Sequence, residues 1–213
     1  MPDNEWVIVP GANSARDDPL GHGTAVTSKI CGGMAGVAKK TTIIPVKFNA
    51  NNILSWSSMW TRTLNDIKDR QQQGRGASPG KTVVNFSNEY SQAENTPDIQ
   101  RVKRVLEEIM ARGVPIVVAA GNARGTHGPG IVRAPAVWAA QSFPVIVVSS
   151  VDRNFQSSYF SQYDVQTTVW AIGEGNVIAW RTGPAAFRAG AAGTSYGQPL
   201  PFTQSIDIVW ELF

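Results

Sequence analysis

Strand-like and helix-like segments alternate along this chain, which predicts an α/β fold: a doubly wound, mostly parallel sheet with helices on both faces. Two observations carry that prediction. Runs rich in Val and Ile at residues 42–48, 82–87, 115–120 and 144–150 are apolar throughout rather than alternating, so they read as strands covered on both sides. Two of the intervening stretches repeat their apolar residues at helical spacing. Ligands of such sheets bind beyond the carboxyl ends of the strands, so the residues that follow each run are the ones to inspect.

In chain order, residues 42–48 hold Ile43-Ile44-Pro45-Val46-Lys47, the first covered strand. Residues 57–72 place Trp60, Leu64 and Ile67 on one stripe and predict a helix. A polar Gly/Pro loop, Gln71 to Gly80, leads into the strand at 82–87. Residues 98–112 line up Val102, Val105, Leu106 and Ile109 on a second helix, which Gly113 ends before Pro115 opens the next strand. The run at 144–150 gives a fourth. No repeat or linker interrupts the chain, so residues 1–213 are expected to form a single domain, which the resemblance described below makes a partial one.

Composition narrows the function classes. A chain of 213 residues with 42% hydrophobic and 16% charged side chains is long and apolar enough for one substantial core. The net charge of +3, from 19 basic and 16 acidic residues, is too small and scattered to predict a nucleic-acid or membrane partner. Met1-Pro2-Asp3-Asn4-Glu5 has neither the basic start nor the apolar core of a secretory signal, and no apolar run is long enough to span a bilayer. Cys31 is alone, which excludes an internal disulfide. The sequon Asn85-Phe86-Ser87 falls in an expected buried strand, where glycosylation is not expected.

Three short peptides carry the chemistry: Gly21-His22-Gly23-Thr24, Ala119-Ala120-Gly121-Asn122 and Gly193-Thr194-Ser195. Acyl transfer to a serine needs a base, an oxyanion donor and an activated hydroxyl, and the three peptides supply one each. His22-Gly23-Thr24-Ala25-Val26, Gly36-Val37-Ala38, Val83-Val84-Asn85-Phe86-Ser87, the strand ending in Asn122, and Pro199 four residues after Ser195 together resemble the subtilisin-like serine proteases, the subtilases. The likeness runs from about residue 17 to 199. It implies a serine endopeptidase with His22 as general base, Ser195 as nucleophile at the start of a helix, Asn122 as oxyanion donor and Ser87 on the wall of the primary substrate pocket. It also implies an exported protein, a peptide or protein substrate, a monomer and no cofactor; structural calcium is left open, without a ligand set in the sequence.

The chain departs from that pattern in places. Subtilases carry the triad Asp about thirty residues before the His, on a strand ending in Asp-Ser/Thr-Gly. Only 21 residues precede His22, and none of their aspartates has that setting, so the chain is expected to be truncated there. Such a strand comes from the middle of the sheet, and its loss is expected to leave a gap with unpaired backbone. Asp17 and Asp18, too close in sequence to reach round the imidazole, are expected to be solvated loop residues. Glu89 stands where the family has glycine, Asn49-Ala50-Asn51-Asn52 where it often has a Gly-rich edge, and Leu200-Pro201-Phe202-Thr203 does not continue its long buried helix. The alternative reading is a non-catalytic relic that binds peptides or partners. Nucleotide binding fails, because Gly76-Ala77-Ser78-Pro79-Gly80-Lys81-Thr82 lacks the P-loop spacing and leads into a strand. Zinc hydrolysis fails too, with His22 and His127 the only histidines.

Overall fold

Each strand expected from an apolar run is present, displaced by no more than two residues at either end. The computed structural model describes residues 6–9, 12, 17–48, 53–91, 96–140, 142–180, 186–198 and 207–212. In order these form β1 (Val7–Ile8), α1 (His22–Cys31), β2 (Ile43–Lys47), α2 (Ile53–Gln73), β3 (Thr82–Phe86), β4 (Tyr90–Ser91), α3 (Pro97–Ala111) and β5 (Ile116–Ala119). Next come α4 (Arg124–His127), β6 (Arg133–Ala134), β7 (Ile146–Val151), β8 (Val169–Ile172), the β9 (Asn176–Ala179) and β10 (Phe187–Ala191) ribbon, α5 (Thr194–Gly197) and β11 (Asp207–Leu212). Residues 49–52 and 199–203, singled out in the sequence, lie outside the described residues.

Strand neighbours alternate between two apolar layers, as the period of two requires. Ile44, Val46, Val84, Phe86, Ile116 and Val118 pack under α2 and α3, where Trp60, Ile67, Leu106 and Ile109 are fully buried. Ile43, Val83 and Val117 pack on the other side against Val26 and Ile30 of α1. Helices therefore cover both faces, which is why the strands read as unbroken apolar runs. Helix α3 starts where Thr96 Oγ1 accepts from Ile99 N at 3.3 Å and Pro97 takes a first-turn position whose N–H needs no partner.

The middle of the sheet departs from expectation. Strand order is β1-β2-β11-β3-β5-β7-β8, with every neighbouring pair parallel. No gap separates β2 from β3: the C-terminal β11 lies between them. Ile208 pairs with Ile43 on one side and Val83 on the other, and Trp210 pairs with Pro45 and Asn85. The backbone groups that a missing central strand would leave open are thus met by the chain's own C-terminal segment.

Candidate active site

Four segments meet at the carboxyl edge of this sheet: the start of α1, the turns after β3 and β5, and the start of α5. Leu20, His22, Ser87, Asn88, Glu89, Ala119, Gly121, Asn122, Thr194 and Ser195 line one cleft of about 300 Å³. The three peptides singled out in the sequence are therefore brought together.

His22 is the first residue of α1 because Gly21 turns the chain there with φ 75°, a conformation that a side chain disfavours. Asp18 holds that turn. Its carboxylate accepts from Gly21 N at 2.9 Å and from Thr24 N at 2.6 Å, satisfying a first-turn donor of the helix. The expectation of a solvated Asp18 is corrected: a carboxylate just ahead of a helix start finds unpaired N–H groups and a favourable dipole. Asp17 is not free either, since it pairs with the buried Lys47.

Burial holds the His22 pKa below the usual 6.5, and the charge of Asp18 partly offsets this. The imidazole is therefore neutral, and able to accept a proton, to lower pH than an exposed histidine. Between its folded pKa and 6.5 the unfolded chain binds the extra proton, so this group's contribution to stability declines as pH falls through that window. Asp18→Ala is expected to lower stability by about 1–2 kcal/mol through the lost cap. It is also expected to move the acid limb of any His22-dependent reaction further down in pH. Urea melts and a pH profile of covalent serine labelling check the two parts.

Ser195 sits in the first turn of α5, 5% exposed, with its Oγ donating to Ser87 O at 3.2 Å. A hydroxyl has one proton, so in this state the acceptor is Ser87 rather than the base. Asn122 is better prepared. Its Oδ1 accepts from Thr194 N at 2.9 Å and Thr194 Oγ1 at 3.0 Å, which fixes the amide and leaves Nδ2 as the group free to donate. Ser87 is also committed: its Oγ accepts from Asn85 Nδ2 at 2.9 Å and donates to Gln198 Oε1. Gln198 Nε2 donates to Phe86 O at 3.0 Å, so this fully buried glutamine ties α5 to the end of β3. Sequence reading missed Gln198, and a single glutamine offers no pattern by which to find it.

The orienting carboxylate of a triad is not supplied at the end of the central strand by an Asp-Ser/Thr-Gly sequence. β11 ends in Trp210-Glu211-Leu212, with Glu211 paired in register to Val46. Among the described residues no group of three or more His, Cys, Asp or Glu side chains could hold a metal ion, so they offer no carboxylate cage for calcium.

A base, a hydroxyl and an anchored amide at the carboxyl edge of a parallel sheet form a cleft of the kind serine hydrolases use. The sequence profile of the subtilase family matches residues 2–200, and the chain belongs to that family. It is 30% identical over 201 residues to subtilisin-like protease 3 of Pseudogymnoascus destructans, covering 90% of this chain and 43% of that protein. It is 31% identical to an alkaline proteinase of Hapsidospora chrysogena, covering 90% of this chain and 42% of that one. The chain therefore spans less than half the length of these curated relatives. Among solved structures, the protease domain of PatA superposes with a TM-score of 0.67 at 20% identity, over 92% of this chain and 68% of that one. A cold-adapted subtilisin-like serine proteinase gives 0.62 at 21% identity, over 91% and 70%. These likenesses establish a subtilisin-like α/β fold. No described helix is long and apolar enough to cross a membrane.

Proposed function

We propose that the chain is a serine endopeptidase unit in which Ser195 is acylated by a peptide carbonyl, His22 moves the proton and Asn122 holds the oxyanion. The observation that carries this reading is the Asn122 amide, pinned by two donors from Thr194 so that its remaining N–H groups serve the neighbouring nucleophile. Attack by Oγ transfers its proton to the imidazole, and the tetrahedral oxygen gains negative charge. Asn122 Nδ2 and the first-turn N–H of Ser195 bind that charge. The imidazolium then protonates the leaving amine, and water releases the acyl group by the reverse sequence. Rotation of the Ser195 side chain from Ser87 O toward His22 precedes attack.

An imidazole whose tautomer is not fixed by a carboxylate turns over about 10⁴-fold more slowly than one in a complete triad, so the rate of cleavage reports how His22 is held. The family resemblance favours a protein that works outside the cell on peptide or protein substrates. A second reading, a peptide-binding relic, is favoured by the Ser195–Ser87 hydrogen bond and by the strand end that lacks the Asp motif. Prolonged incubation with an internally quenched peptide separates the two. Slow cleavage that vanishes in Ser195→Ala supports the peptidase; equal traces from both proteins support the relic.

A further inference from the structure

We propose that this cleft selects peptides with lysine or arginine next to the bond to be cut, and that Glu89 makes the selection. The proposal rests on the cleft reading above. Glu89 owes its position to a short ribbon in which Tyr90 pairs with Ala134 and Ser91 with Arg133. Tyr90 is wedged between Trp56 and Trp138, with ring centroids 4.8 and 5.7 Å away. The residue before it is thereby directed into the lining that includes Ser87, Gly121 and Ser195.

One oxygen of Glu89 is engaged and the other faces an unmatched acceptor. Oε1 lies 3.3 Å from Arg133 Nε. Oε2 lies 2.7 Å from the point where a β-carbon on Gly121 would stand, and Gln162 Oε1 lies 2.4 Å from the same point. The two oxygens are therefore no more than about 5 Å apart. Gln162 is fully buried and donates through Nε2 to Gly130 O at 2.6 Å, which fixes its amide. Its Oε1 has no donor among the described residues. A carboxylate oxygen thus shares a corner with a buried amide oxygen that has no donor among the described residues. Gly121, at φ 107°, has to lack a side chain, since a β-carbon there would collide with both oxygens.

A lysine ammonium or an arginine guanidinium brings both donors and a charge to the Glu89 carboxylate in the cleft wall, whereas an aliphatic side chain brings neither. Arg133 does not pre-empt the role, because the pair is partly exposed to water. Burial raises the Glu89 pKa while Arg133 and His127 lower it, and a substrate cation joins the lowering side.

The test uses the Ser195→Ala chain, so that nothing is cleaved, and fluorescent peptides that differ only in carrying lysine, norleucine or glutamate at the selected position. Anisotropy titration is expected to show lysine bound about tenfold tighter than norleucine, the scale of one screened ion pair plus one hydrogen bond. Glutamate is expected to bind weakest. Glu89→Gln should erase the lysine preference, and Arg133→Gln, which unmasks the carboxylate, should widen it. A lysine preference that survives Glu89→Gln and ignores Arg133→Gln, equal binding of lysine and norleucine, or no binding of any peptide overturns the proposal. Fluorophosphonate labelling of the unmodified chain reports separately on acyl transfer. A labelled but charge-blind protein defeats the selection alone, and an unlabelled protein that still prefers lysine defeats only the peptidase reading.

Discussion

Val209→Pro is expected to abolish cooperative folding. Val209 occupies the centre of β11 and pairs with Ile44 on one side and Val84 on the other, so it belongs to an interior strand rather than an edge. Proline there removes a ladder donor and sets its ring against the neighbouring strand, a cost of about 3 kcal/mol or more. Expelling β11 altogether costs more, because β2 and β3 then lose their shared ladder partner. Domains of this size are stable by about 5–15 kcal/mol, so the substitution consumes a large share of the whole. Urea denaturation followed by circular dichroism is expected to show the midpoint lowered by about 1 M or more, or no cooperative transition. A chain ending at Gln198 should behave the same way. Unchanged midpoints for both proteins would show that β11 does not close the sheet.

The second large effect concerns Asn122→Ala. In a subtilisin, loss of one side-chain oxyanion donor costs about 2.7–4 kcal/mol at the transition state, or about 10²–10³ in rate. The same loss is expected here in the rate at which a fluorophosphonate reacts with Ser195, because that reagent also develops charge on an oxygen as the serine attacks. The substitution leaves the two Thr194 donors without Asn122 Oδ1, so a modest loss of stability accompanies it. Asn122→Asp separates the effects: it keeps an acceptor for Thr194 while replacing the donating amide by a repelling carboxylate, and it should be slower still.

What the sequence disclosed follows from where burial leaves a pattern. β2, β3, β5 and β7 are covered on both faces and carry unbroken Val/Ile runs, and α2 and α3 bury one stripe each, so all were legible. β1, β4 and β6 are two residues long and carry no periodicity at all. β11 was unreadable for a different reason. Its place between β2 and β3 is a matter of sheet order, which local sequence does not encode. Within the cleft, His22, Asn122 and Ser195 were legible as candidates because each stands in a glycine-containing peptide at a strand or helix end. Asp18 was misjudged because its partners are backbone N–H groups, invisible as residue types. Gln162 and Gln198 matter only through neighbours far away in sequence, Gly121 among them for the first and Ser87 for the second.

The account turns on Ser195 being a nucleophile served by His22, and covalent capture measures that most directly. The chain is incubated with a fluorophosphonate across a range of pH, and the adduct is located by peptide mass spectrometry. The account predicts one adduct, on Ser195, absent in Ser195→Ala, with a rate that falls as His22 becomes protonated below pH 6.5. An unreacted Ser195 in a folded protein, or labelling of equal extent in Ser195→Ala, would contradict it.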